Sequence, residues 1–493
     1  MTDWENNITK KQQGGILIQV LAFMTIGTLI LSGFVQWGLL SLRIARHSED
    51  REQAIQVAEA GVDYYRWHLA HAPTDFQDGT ATSGPYVHDY YDKQGVKIGT
   101  YTLSITPPLL GSSLVTVVSV GRVLDDPTIA RTLQVRFAKP SFAKYAVVSN
   151  SDMSIGANIL GPMHSNGGIL FVTGSGAAHD VVTSALNTFR STTTGWVTKW
   201  AVTDDSIDPN PPTAFTPVTA TFLAGRRVND PALSFGGITA DLSDLLTKSQ
   251  PAQGGLHYNA SGALGYHIVL KTNDTFDIYT VNTAATQAGC SGFEWWTTPS
   301  CPVVANSFWS IGTQTLLAGN VPFPTNGIIY CDDHVWVNGQ INTARLTIVA
   351  ATLPIVGSGK NILVNSNLLY TNYDGQDVIG LIAQGSFLIG LKSTNDVRVD
   401  AAIIAQNGRV SRMGYKGTCG GDNTQGNLYL YGMFASNQRY AYGNLGAGCA
   451  PGVTLNGFQT SRTYEYDSHL LYEPPPSFPQ TTSQYQVISW DEI

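Results

Sequence analysis

Charge is what this chain has least of. Asp, Glu, Lys and Arg make up 13% of its 493 residues, about half the ~25% of an ordinary soluble domain. The 36 acidic and 28 basic residues leave a net charge of -8, and without a Lys/Arg cluster the composition argues against dedicated nucleic-acid binding. Cysteine is equally sparse. There are five, with no Cys-x-x-Cys and no Cys/His cluster, which leaves zinc without a ligand set. No Gly-x-Ser-x-Gly, P-loop or dinucleotide fingerprint occurs, so no cofactor is expected. Glycine, by contrast, reaches 50. With abundant Thr, Ser, Asn and Val, it suits a β-rich protein outside the cytoplasm. The length points to two or three domains.

Where charge is absent altogether, it is absent in one block. Ile16 to Leu42 is 27 residues without a charge, interrupted only by Gln19, Thr25, Thr28, Ser32, Gln36 and Ser41. As a helix it spans ~40 Å, enough to cross a hydrocarbon core of ~30 Å with tilt. A secretory signal has a shorter apolar core and its small residues after that core; here Gly14 and Gly15 precede it. The pattern then becomes two-faced. Ile55, Ala58, Val62, Tyr65 and Leu69 recur on one helical face, opposite Arg46, Glu49, Asp50, Arg51, Asp63 and Arg66. No turn signal intervenes before Pro73, so one helix is expected from 16 to 71.

The leader with Lys10 and Lys11, the glycine before the apolar run, and Ala58-Glu59-Ala60-Gly61 followed by Tyr64 and Tyr65 resemble the type IV pilin and pseudopilin superfamily, in particular PilX-type minor pilins. The resemblance covers about 70 residues. It implies that a prepilin peptidase cuts after Gly15, leaving Ile16 first, with Gly14 as the near alternative. It also implies partners among other pilin subunits through the helix, and membrane lipid before assembly. The fifth mature position, where major pilins carry Glu, is Val20, which points to a minor subunit. Charges flanking the apolar run are mixed and do not set its orientation. The cysteines and the resemblance place the N-terminus in the cytoplasm, the helix in the bacterial inner membrane as a single pass, and the body in the periplasm or at the cell surface.

Downstream, Thr100–Thr106, Leu114–Val123 and Ala130–Phe137 alternate as strands between Pro and Asp turns. Three or four such strands on the second half of the helix would make a small pilin-like head over 73–142. From 143 to 460 short apolar bursts recur between Gly and Asn, and Ile382-Ala383-Gln384 returns 22 residues later as Ile404-Ala405-Gln406. This predicts a solenoid, a right-handed parallel β-helix with insertions; the alternative is an irregular β-sandwich. Within 171–326 a short helix is expected over Leu242–Lys248. Residues 461–493, with Pro474-Pro475-Pro476, read as an extended tail packed back along the body. The fold class is thus α+β in the pilin-like part and mainly β beyond it.

Cys290 with Cys301, and Cys419 with Cys449, read as loop-closing disulfides of an oxidising compartment, with Cys331 left over as a buried thiol. Phe293, Trp295 and Trp296 in the first loop would bind a ligand or cap the solenoid. Asp332-Asp333-His334 looks like the acidic pair of polygalacturonase-type β-helix hydrolases. The companion Gly-His-Gly and Arg-x-Lys are missing, and a turn acid pair is the expectation. Asp396 and Asp400 are expected to form a solvated strand edge with Arg398, and His68 and His71 to serve packing or the surface. The expected function is a non-enzymatic minor pilin or pseudopilin-like subunit displaying a β-helical body for assembly, adhesion or a tip role. The alternative is an anchored surface enzyme acting on polysaccharide, or a stand-alone adhesin.

Overall fold

A single helix, α1, runs unbroken from Asn6 to His71 in the computed structural model of the chain. The structure describes all residues except 1–5, 109–111, 173, 175, 192–196, 205–207, 209, 288–291, 294–308, 417–418, 420–421 and 443–454; for 6–14, 191, 240, 292–293, 416 and 455–456 it describes the backbone alone. The helix begins upstream of Gly14-Gly15, so the boundary at Ile16 is not a break in the backbone. Its other end is built by Asp75. That carboxylate accepts from the N–H groups of Gln77 and Gly79 at 2.8 and 2.7 Å and lies 3.1 Å from His68 Nε2. These donors hold its pKa below the usual value, the Gln77 bond foremost.

The chain divides into two compact units. The first comprises Met1–Pro107, Val115–Phe137 and Val487–Ile493, the second Pro108–Leu114 and Ala138–Gln486. In the first, β1 (Tyr86–Tyr91), β2 (Lys97–Thr106), β3 (Val115–Val123) and β4 (Ala130–Ala138) form an antiparallel sheet, with Gln486–Glu492 as a fifth strand beside β4. Alternation on β3 turns Val115, Val117, Ser119 and Val123 inward. Against that face α1 buries Ala54, Val57, Ala58, Val62, Tyr65 and Leu69. Ile55, expected on this face, is only half-buried; the stripe is centred on Ala54 and Ala58 instead.

Two glycines set how closely helix and sheet approach. A Cβ on Gly121 would lie 2.2 Å from the Ala54 carbonyl oxygen and 2.4 Å from the Ala58 nitrogen; one on Gly61 would lie 2.4 Å from Ser119 Oγ. The small residues Ala58 and Gly61 therefore face this chain's own sheet.

In the second unit the dominant pairing is parallel. Ile329, Ile348, Leu381, Ile403, Phe434, Val147, Met163 and Val182 succeed one another as direct partners along one ladder. All belong to one buried core. Their sequence neighbours Ile328, Tyr330, Val349, Ile382, Ile404, Ala435 and Val148 point the other way into a second core. Strands buried on both faces in this manner read as near-continuous apolar runs. The second core is covered by α2 (Ile238–Lys248), which contributes Ile238, Leu242 and Leu245. This helix starts four residues before the expected Leu242.

The repeat legible in the sequence is the register itself. Ile382 pairs with Ile404 and Ala383 with Ala405. Further ladders run through Val335, Ile362, Phe387 and Val410 and through Met153, Ile169 and Val202. The 461–493 segment is not one tail. Phe458–Tyr466 continues a parallel ladder, Ser468–Leu471 is a 3-10 turn, and Gln486–Glu492 joins the antiparallel sheet.

A side chain at Gly121 would collide with helix backbone that cannot rotate away. Gly121→Val should destabilise the chain by about 3 kcal/mol, whereas Gly38→Ala, with open space around the added carbon, should not lower stability. Thermal unfolding of the full chain in detergent distinguishes the two.

Candidate functional site

From Ile16 to Ile44 the large apolar side chains of α1 are covered by nothing among the described residues. Phe23 is 75% exposed, Leu29 71% and Trp37 68%. The helix Gly15–His71 has an 18-residue window of mean hydropathy 2.1, none of it buried, and is long and apolar enough to cross a membrane. Three of its hydroxyls are turned onto its own backbone. Thr25, Thr28 and Ser32 donate to the carbonyls of Ala22, Thr25 and Leu29, each at 2.9 Å, which satisfies them without water. Gly27, Gly33 and Gly38 have open space where a side chain would project. Gly15 and Ile16 lie exposed in the same continuous helix.

Where the apolar run stops, charge begins in rows. Arg43, His47 and Arg51 follow one another at helical spacing and, with Ile44, Ser48, Glu52 and Arg131 of β4, line a cleft of ≈ 580 Å³. Arg131 is also paired with Glu492. The four-residue spacing of these basic residues, just past Leu42, was the available sequence signal. Further along, His68 is held by Asp75 and His71 Nδ1 by the Trp67 carbonyl at 2.9 Å. The two histidines thus have separate packing partners.

Cys290, Cys301, Cys449, Trp295 and Trp296 lie outside the described residues. Phe293 falls in a short strand, Gly292–Phe293, antiparallel to Gly414–Lys416. Cys419 is buried and disulfide-bonded. Cys331 is a free thiol, fully buried in the main core, and burial pushes its pKa up.

Asp332 and Asp333 sit between the strands Ile328–Cys331 and His334–Gln340, and His334 opens the second. Asp333 accepts from Ser261 N–H at 3.1 Å, Ser261 Oγ at 2.6 Å and His334 N–H at 2.9 Å, and pairs with Lys360 at 3.0 Å. Burial opposes its ionisation, but these donors prevail and its pKa is lowered. Asp332 faces His257 at 3.2 Å. His334 Nδ1 accepts from the Asn361 N–H at 2.9 Å. Burial pushes its pKa down to about 4. All three are engaged in holding the turn.

The Asp396–Arg398–Asp400 segment differs from its expectation. Asp396 is exposed and accepts from the Asn427 N–H and Nδ2 at 2.7 and 3.0 Å. Asp400, however, has no exposed surface. It accepts from Arg398 Nε at 2.8 Å, Tyr373 OH at 2.7 Å and the Tyr370 N–H at 3.1 Å. Arg398 is held between the rings of Tyr373 and Tyr429, 5.0 and 4.5 Å from their centroids. The reason lies in the register: Arg398 pairs with Tyr429 and Asp400 with Tyr431 across the parallel ladder. A 31-residue offset between these strands hid this row from a reading along the chain.

No family model and no curated protein matches the chain. Among solved structures it is similar to the competence-associated pilin ComZ from Thermus thermophilus, known from a crystal structure. The identity is 13% and the TM-score 0.34, over 90% of this chain and 97% of that one.

Two outcomes follow from these geometries. Asp400→Ala leaves three donors facing a buried gap and should cost about 3 kcal/mol, read as a lower denaturant midpoint at unchanged slope. His334 is neutral in the fold at pH values where the unfolded chain takes up a proton, so its stabilisation is complete above its unfolded pKa of about 6.5 and fades as pH falls toward 4. Between pH 7 and 5 it should lose about 2 kcal/mol, a slope that His334→Gln should flatten.

Proposed function

We propose that the chain is a non-enzymatic minor pilin or pseudopilin-like subunit of a type IV pilus or related filament. It would be held in the inner membrane by α1, with the N-terminus in the cytoplasm. After cleavage between Gly15 and Ile16 by a prepilin peptidase it would pass into a bundle of similar helices. The ladders of the second unit are read as coils of a right-handed parallel β-helix, displayed outside the membrane for assembly, adhesion or a tip role.

The observation that carries this reading is the contrast along one helix. From Ile16 to Ile44 its large apolar side chains are exposed all round, while from Ala54 to Leu69 one face is buried on this chain's own sheet. An exposed apolar surface of that length needs lipid or other helices. A plain anchor would satisfy the first half alone; the unbroken run into a packed head lets a pull on the head move the membrane segment as one rod. The engagement of Asp333, His334 and Asp400 by structural partners supports a role without catalysis.

Substituting Gly15→Leu should block processing and remove the chain from sheared filaments, leaving a membrane-retained form about 1.7 kDa heavier, from a leader of about 15 residues. Normal size and normal filament incorporation of that variant would overturn the reading.

A further inference from the structure

A cavity in the second unit is distinct from every feature used above. It measures ≈ 410 Å³, within the ~300–1,000 Å³ of small-molecule sites. Its position follows from the parallel ladder. Met163, Val182 and Arg226 succeed one another as partners, and beside them His164, Thr183 and Arg227 do the same. The first row begins in the core; the second points away from it, with His164 and Thr183 buried and Arg227 exposed. Over that outer row the chain lays Pro162 and Val181 on one side and Pro217, Val218 and Ala224 on the other. Val218 is 60% exposed, an apolar side chain left facing the opening.

The floor is rigid. Arg226 has no exposed side-chain surface and is clamped by Asp208, with guanidinium to carboxylate contacts of 2.7 and 2.8 Å. Its charge is therefore already matched. His164 is fully buried. Asn166 is fixed by Leu233, whose N–H donates to Oδ1 at 2.8 Å and whose carbonyl accepts from Nδ2 at 2.7 Å. That orientation presents Oδ1 to His164 Nε2 at 3.2 Å, while Nδ1 lies 2.8 Å from Thr183 Oγ1, whose hydroxyl donates to the Met163 carbonyl at 3.1 Å. The ring lies beside Tyr145, centroids 5.6 Å apart and planes tilted by 40°.

The rim carries the unmatched charge. Lys144 lies over the Tyr145 ring at 5.5 Å and has no ion-pair partner among the described residues. Arg227 has 66% of its side chain exposed and touches Asp230 at a long 3.3 Å. Lys144 and Arg227 bring two cations to the lining of a mostly apolar cavity, with Asp230 against Arg227, on a chain whose net charge is -8. Apolar walls, a tyrosine beside them and a cationic rim fit one ligand chemistry.

We propose that this cavity binds a small organic anion with an apolar ring or branched body, a carboxylate of the aryl or branched-chain type. The body would lie against Pro162, Val181 and Val218, and the carboxylate would reach Lys144 and Arg227. Charge-assisted hydrogen bonds to a carboxylate are the strong class, and the apolar walls favour them by thinning the water around the pair. The inference does not rest on the filament reading; a chain with any other role would carry the same site.

The test uses the full chain in detergent and the probe 4-(trifluoromethyl)benzoate, followed by fluorine NMR, with 4-(trifluoromethyl)benzamide as its uncharged counterpart. Two variants change the site without entering either core: Val218→Asp, which puts a like charge in the wall, and Lys144→Gln combined with Arg227→Gln. The benzoate should saturate a single site, bind at least about tenfold more tightly than the amide, and weaken at least about tenfold in each variant, differences of ~1.4 kcal/mol each. The variants should melt as the parent does. Three results would each overturn the proposal: no saturation by the benzoate, equal binding of benzoate and amide, or unchanged binding in Val218→Asp, since the last would place the probe in the micelle or elsewhere on the protein.

Discussion

Twenty-seven consecutive uncharged residues in a helix segment that no other described residue covers form a constraint water cannot satisfy. At ~25 cal/mol per Å² of apolar surface, a bare rod of Leu, Ile, Phe and Trp side chains is stable only in lipid or against other rods. The backbone is prepared for either, because helical amides find their partners within the segment and the hydroxyls of Thr25, Thr28 and Ser32 turn onto the carbonyls three residues back. The remainder of the first unit follows from the need to end that helix in something folded. The sheet covers the face from Ala54 to Leu69, Gly61 and Gly121 allow the two to touch, and Asp75 closes the last turn.

The second unit is governed by a different rule. Its strands are short, and none buries enough surface alone; stacking in parallel register lets each bury its inner residues on the next. One ladder carries Ile329, Ile348, Leu381, Ile403 and Phe434 and then crosses to Val147, Met163 and Val182. The residues nearest the head in sequence thus complete the stack begun by the later half. The Tyr373–Arg398–Tyr429 stack and the cavity beside Tyr145 both arise from side chains brought side by side by that register.

The sequence made the helix legible because uncharged length and helical spacing are local signals. The strands of the small sheet were legible from alternation, and the Ile-Ala-Gln repeat was in fact a pair of ladder neighbours. Other features were hidden for identifiable reasons. Successive partners Ile328, Thr347, Gly380, Ala402 and Met433 lie 19, 33, 22 and 31 residues apart, so loops of unequal length blur the period. The pairing of Ser436 with Ser149 spans most of the chain and leaves no local trace. Asp400 read as solvated because a carboxylate two residues from an arginine is ordinarily at the surface; its burial depends on Tyr370 and Tyr373, supplied by a different strand and loop. The rotation of the buried helix face from Ile55 to Ala54 reflects Gly121, whose missing side chain admits helix backbone at that point.

The central claim is that the exposed half of α1 packs against helices of other subunits. A photoreactive amino acid placed at Phe34, on the uncovered segment, tests it directly in cells, with one placed at Val57, on the face buried by the chain's own sheet, as the internal reference. The account predicts that light links Phe34 to other membrane-anchored filament subunits in the sheared surface fraction, while Val57 yields only links within the chain. Adducts at Phe34 confined to lipid, with the chain absent from that fraction, would contradict it.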